Sequence, residues 1–243
     1  MKRLLLLLTG LLLLLSAEGQ ILRYSNATAP EEPSAGIEIV DTEVTSIELD
    51  GTSHSINMPT GLSAGDLILV FFASDGVPAI SINTGVSGNN WTIEADHVSG
   101  TAASGAVIWK IAEGSDALTL TTDAAQQTKA NAYGLSGVDA SDPITVTEAA
   151  GNNVSPNPPS NTGLLGAVDY LWFAVAAIDS YITISAVPTD FDNLLSTNYN
   201  IGGSCSINSA YRYHNTASAY DPDVFTSSGG DEWVTFTVIV NPE

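Results

Sequence analysis

The sequence predicts an all-β protein, a jelly-roll-like antiparallel β-sandwich assembled from two pseudo-repeated halves. Three observations lead there. Apolar residues recur at every second position over most of the chain after residue 36, which is the period of a strand. Clusters of Gly, Asn, Asp, Ser and Pro such as GNNVSPNPPSN and TSSGGDE separate the apolar runs, and no window carries a sustained helical stripe. Finally, Asp66 opens LILVFFASDG and Asp169 opens YLWFAVAAID, and the features that follow each recur at an offset of roughly 103 to 105 residues.

Taken in order, residues 1–19 read as an export signal. Lys2 and Arg3 precede the leucine run, and the small residues Ser16, Ala17 and Gly19 offer a peptidase its cut. An uncleaved anchor is the alternative, but a membrane span needs roughly 20 apolar residues, and this run stops at Ser16 and meets Glu18. Residues 20–36, containing NATAPEEPSAG, form a flexible arm without periodicity. The sandwich occupies 37–243, the alternative being two tandem sandwiches at 37–140 and 141–243.

Strands are expected at Ile37–Leu49, Asp66–Ala73, Trp91–Ala95, Ala106–Ala112, Ala117–Thr122, Thr128–Val138, Asp169–Ile178, Ser204–His214 and Glu232–Val240. Leu67–Ala73 and Leu171–Ala177 are apolar on both faces, so each should be central, its second face covered by a loop, a partner or another subunit. In the last strand Val234, Phe236, Val238 and Val240 should face the core, with Thr235 and Thr237 outward.

Charge narrows the partners. The chain has 27 acidic and six basic residues, and a cut signal leaves only Arg23, Lys110, Lys129 and Arg212 as cations. Such a surface repels nucleic acid and anionic lipid. Cys205 is the only cysteine, so the domain stands on its core and not on disulfides.

Several motifs carry candidate chemistry. GLSAG at 61–65 fits a nucleophile pattern, yet that pattern needs a strand before Ser63 and a helix after it, the reverse of the order here. His54, His97 and His214 lack metal-ligand spacing. On the strand ending at His214, alternation puts Tyr211 and Tyr213 on one face and Arg212 and His214 on the other; either pair, if outward, suits a glycan. Trp91 is the tryptophan expected to be exposed, with Trp109 and Trp172 buried. Glu94 with Asp96, and Asp190 with Asp192, are paired carboxylates on shared faces, read as solvated edges and not as a hydrolytic pair. Asp221 and Asp223 in YDPDVF are the favoured place for a structural calcium; Asp190 with Asp192 and Asp231 with Glu232 also supply hard oxygens. No other cofactor is expected. Lys110 and Lys129 stand inside strands, where a lysine buried beside an acid and an asparagine can form an isopeptide crosslink with loss of one ammonia.

The succession DLILVFFASDG, GAVIWKIAEGSDALTL, DYLWFAVAAID and SAYRYHNTASAYDPDVFTSSGGDEWVTFTVIVNP resembles an uncharacterised family of β-sandwich modules that recurs in marine bacteriophage structural and tail-associated proteins and in some secreted bacterial proteins. The likeness spans nearly all of 37–243 and rests on strand cores, on the strand carrying Tyr211 and Arg212, and on the DPDVFT turn. It implies a non-catalytic, surface-displayed module of attachment or virion architecture. The export signal departs from a plain virion protein and makes a secreted or anchored bacterial form the alternative. The expected function is thus a non-enzymatic attachment module at the cell or virion surface, engaging a glycan or surface receptor and self-associating. A carbohydrate-binding module is the first alternative and a glycan hydrolase the second. Residues expected to meet a ligand are Trp91, Tyr211, Arg212, Tyr213 and His214.

Overall fold

A computed structural model describes residues 36–83, 90–198 and 204–243. The chain divides into Met1–Ser34 and Ala35–Glu243, and the fold is that of the second unit; the export signal and the arm up to residue 35 lie outside the described residues. Among the described residues there are thirteen strands and no helix.

The first half supplies β1 (Glu38–Ile56), β2 (Leu67–Asp75), β3 (Ile80–Ile82), β4 (Thr92–Ser99), β5 (Ala103–Ile111) and β6 (Leu118–Ser136). The second supplies β7 (Ile144–Gly151), β8 (Asp169–Asp179), β9 (Ile184–Ala186), β10 (Asp192–Asn198), β11 (Cys205–Asn215), β12 (Thr226–Ser227) and β13 (Trp233–Val240). All pairings are antiparallel. One sheet runs β1-β6-β2-β5-β4, the other β7-β13-β8-β11-β10, and the short pairs β3–β6 and β9–β12 lie off these paths.

The two orders are the same. Leu67 faces Leu135 and Ile111 as Leu171 faces Val240 and Tyr213. Gly76 and Ser180, each just past its central strand, both take positive φ, 76° and 85°. Each half therefore builds one complete sheet, and the halves stack by a pseudo-twofold that sets β2 over β8, β6 over β11 and β5 over β13. The faint sequence repeat is this duplication.

Three apolar layers hold the stack. Between the sheets, Leu69, Phe71, Tyr133, Phe173, Val175, Phe236 and Val238 are fully or almost fully buried, with Phe71, Tyr133 and Phe173 in edge-on contact at 4.8–5.8 Å between ring centroids, a favoured aromatic arrangement. Outside the first sheet, Ile68, Val70, Phe72 and Ile108 lie under Ile56, Ile80, Leu118 and Leu120. Outside the second, Trp172, Ala174, Ala210 and Ile239 lie under Ile182, Ile184, Phe191 and Phe225. The second faces of the two doubly apolar strands are thus covered by the chain itself and need no subunit.

Several expectations are corrected in detail. The segments 117–122 and 128–138 belong to one long strand, β6, which leaves the sheet at its N-terminal end to pair with β3 and with the distal part of β1. Thr235 and Thr237 do point to the outer face, but they are fully buried because the segment Asn157–Pro159 crosses over them and its carbonyls accept their hydroxyls at 2.8 and 2.5 Å. Trp109, expected in the core, is half-buried, its indole N–H donating to Glu94 Oε2 at 3.0 Å.

Candidate functional site

The strand β11 lies between β8 and β10, so its C-terminal half reaches the rim of the second sheet while its backbone stays paired. Its alternation separates the four residues singled out from the sequence, as expected: Tyr211 and Tyr213 turn to the side facing the first sheet, Arg212 and His214 to the outer side.

On the outer side Arg212 is the centre of a cluster. Its guanidinium carbon sits 4.8 Å from the Tyr220 ring centroid and 5.8 Å from that of Phe191, within cation–π range. Nη2 meets His214 Nδ1 at 3.1 Å, and Nη1 reaches exposed Asp190 at a long 3.4 Å. Burial and the neighbouring guanidinium hold His214 below the ordinary histidine value, so at neutral pH its Nδ1 is an acceptor for Arg212 and the other ring nitrogen carries the proton. Trp172, fully buried, supports the cluster edge-on against Tyr220 at 5.6 Å and His214 at 6.1 Å. Tyr220 and Phe191 were not legible as site residues, since only the return of the 216–225 segment over β8 brings Tyr220 to Arg212.

On the inner side Tyr211 and Tyr213 are edge-on to each other at 6.3 Å. Tyr213 is 51% exposed. Tyr211 lines a cleft of about 280 Å³ between the β1 and β10 edges, with Thr42, Tyr133, Asn193, Leu194 and Leu195. Behind Tyr133 a buried polar network is bonded within itself: Asn131 donates to Ser209 Oγ at 2.9 Å and accepts from Thr197 Oγ1 at 2.6 Å, and the Tyr133 hydroxyl meets Ser209 Oγ at 2.7 Å. Burial pushes the Tyr133 hydroxyl well above the usual tyrosine range, so it stays a neutral hydrogen-bonding group.

A second constellation lies where the pseudo-twofold leaves the sandwich. Asp75 and Asp179 end the equivalent strands β2 and β8 and share a hydrogen bond. Burial first, then the charges of Asp231, Asp75 and Glu232, raise Asp179 to about 7. Burial and Asp50 raise Asp75 as well. Ser180 Oγ donates to Asp231 Oδ2 at 2.6 Å. Ligand oxygens of Asp179, Asp231 and Glu232 lie within 4.8 Å of one another, a group of three carboxylates able to offer a hard cation one oxygen each. Asp221 and Asp223 are both exposed, on either side of buried Pro222. Asp75 and Asp179 therefore share a proton between like-charged carboxyls.

The remaining expectations resolve simply. Trp91, expected at the surface, is 8% exposed; its indole N–H donates to Ala117 O at 2.9 Å and its ring joins the layer outside the first sheet. Ser63 sits in a turn, its backbone N–H bonded to Asp66 Oδ2 at 2.7 Å. A bulge between Ile93 and Ala95 breaks the alternation expected to align Glu94 with Asp96. Cys205 is buried and its thiol is pushed up to about 12 by that burial, an inert core residue. Lys110 pairs with Asp116 at 2.6 Å and Glu113 at 3.1 Å, and Lys129 with Glu48. Despite burial, the Lys110 ammonium and the Glu113 and Gly114 amides hold Asp116 below the ordinary aspartate value. That makes an ion pair, whereas amide formation needs a neutral amine and a protonated acid.

No family model matches this chain, and no curated protein or solved structure matches it either.

Proposed function

We propose that this chain is a non-enzymatic, exported attachment module, displayed at a cell or virion surface, that presents the β11 rim to its partner. The observation that carries the reading is Arg212. In a chain of formal net charge −21, this guanidinium lies over two aromatic rings, donates to His214 Nδ1 and has as its one ion-pair partner among the described residues an exposed carboxylate at a long 3.4 Å. A cation so placed is pre-organised for an anionic or hydroxyl-rich ligand. Three apolar layers support the sheet behind it.

Carbohydrate binding is the specific form favoured by Tyr213, half-exposed on the opposite face of β11 from Arg212, so that a saccharide laid across the β11 rim meets a ring on one side and the guanidinium on the other. A glycan array containing neutral and acidic saccharides, run on wild type, Arg212→Ala and Tyr213→Ala, tests it. Binding weakened about tenfold or more in both variants is expected. Binding that ignores both substitutions, or release of reducing ends by the wild type, overturns the proposal.

A further inference from the structure

The two halves differ most where their equivalent positions are compared on the outer faces. Ile68 stands opposite Lys110 and Gly134, as Trp172 stands opposite Arg212 and Ile239. Lys110 and Arg212 are therefore the same position, and each meets a residue of the segment that returns over its sheet: Asp116 at 2.6 Å in the first half, the Tyr220 ring at 4.8 Å in the second. In the second half the space above the central strand is filled by Trp172 and Tyr220, whose rings contact each other. In the first half the same two positions carry the smaller Ile68 and Asp116. A cavity of about 330 Å³ remains over them, lined by Met58, Pro59, Leu62, Ile68, Ser115 and Asp116 among others. That volume is within the range of small-ligand sites. Leu62 and Pro59 of its wall pack directly onto Gly134, where any Cβ would collide with Leu62.

We propose that this cavity is a binding site for a single aromatic ring bearing an N–H or O–H donor, an indole or phenol presented by a partner. The molecule supplies its own template, because the second half seals the equivalent space with an indole and a phenol. The lining matches such a ring. Met58, Pro59, Leu62 and Ile68 offer apolar walls. Asp116, its side chain 5% exposed, accepts the Glu113 and Gly114 amides on Oδ2 at 2.9 and 3.1 Å and contacts Lys110 through Oδ1. A carboxylate has about four lone-pair sites, so one is left for a ligand donor. The site lies on the first sheet and the Arg212 rim on the second, so the two are separately testable.

The probe is indole, titrated into the full chain by calorimetry and ligand-observed NMR, with indene as the isostere that lacks the donor. Saturable indole binding is expected, with indene weaker by about fivefold for the lost hydrogen bond. Ile68→Trp restores the residue of the second half and should abolish binding. Because a tryptophan there can overpack the layer, Ser115→Trp at the exposed rim serves as a second block that leaves the interior untouched. Arg212→Ala should bind indole as the wild type does. Absence of saturable indole binding, or binding that persists in Ser115→Trp, overturns the inference; equal affinity for indole and indene overturns the role of Asp116.

Discussion

Asp179→Asn should make this protein more stable at pH 8 and leave it little changed at pH 4.5. Asp179 is raised from an ordinary 3.8 to about 7, so the folded chain holds that proton more tightly than the unfolded chain does. The stability carried by the protonated form is present below the ordinary value. It is lost as pH rises toward the folded value, and stays lost above it. Three units at about 1.4 kcal/mol each set a ceiling of about 4 kcal/mol. The side chain is only partly buried, and screening by solvent brings the expected gain down to about 1–2 kcal/mol. Asparagine is neutral at every pH, nearly isosteric, and can donate to Asp75, so it removes the repulsion from Asp231 and Glu232 without opening a void. Urea unfolding of wild type and variant at pH 4.5, 6 and 8 measures the difference. At pH 8 the variant should also melt roughly 3–6 °C higher, given the usual conversion for a domain of this size. A variant advantage that is equal at pH 4.5 and pH 8, or negative at pH 8, refutes the reasoning that a shared proton holds this end together.

Other substitutions probe the packing. Gly105→Ala should cost about 1–3 kcal/mol in urea unfolding, because a Cβ there meets Ala177 Cβ and the Phe236 ring at 3.0 Å and neither can retreat inside the core. Asn131→Ala should cost a similar amount, about 1–3 kcal/mol, by leaving buried Thr197 and Ser209 without their shared partner; a loss under about half a kilocalorie would mean that water replaces the amide. The intact mass of the protein should show no deficit of one water or one ammonia at Lys110, which is held as an ion pair with Asp116 and Glu113.

The strands with the strongest apolar runs, continuous or alternating, were readable from the sequence, and β2, β5, β8, β11 and β13 lie close to the runs that announce them. Those that escaped have physical reasons. β7 carries the mixed run ITVTEAAG and is an edge strand packed on one side only. β10 reads as a turn because Asp192 and Asn193 open it, and its pairing comes from β11. β3 and β9 span three residues each, too few for a period. The duplication was visible as an offset, but one sheet per half was not, because strand order is a long-range property. In the site, the faces of Tyr211 to His214 followed from alternation alone. The partners of Arg212 did not, since Tyr220 and Phe191 arrive on loops. Trp91 misled because its neighbours 87–90 are polar, while its own ring turns inward.

The stacking of one half on the other forms the core between the sheets and brings Asp75 to Asp179. Nuclear Overhauser contacts between the ring protons of Phe71 and Phe173 test it without altering a residue, since the centroids of these two rings, one from each half, are 5.2 Å apart. Strong cross-peaks within a single chain are predicted, unchanged when labelled and unlabelled protein are mixed. Their absence, or their appearance only between differently labelled chains, would contradict the account.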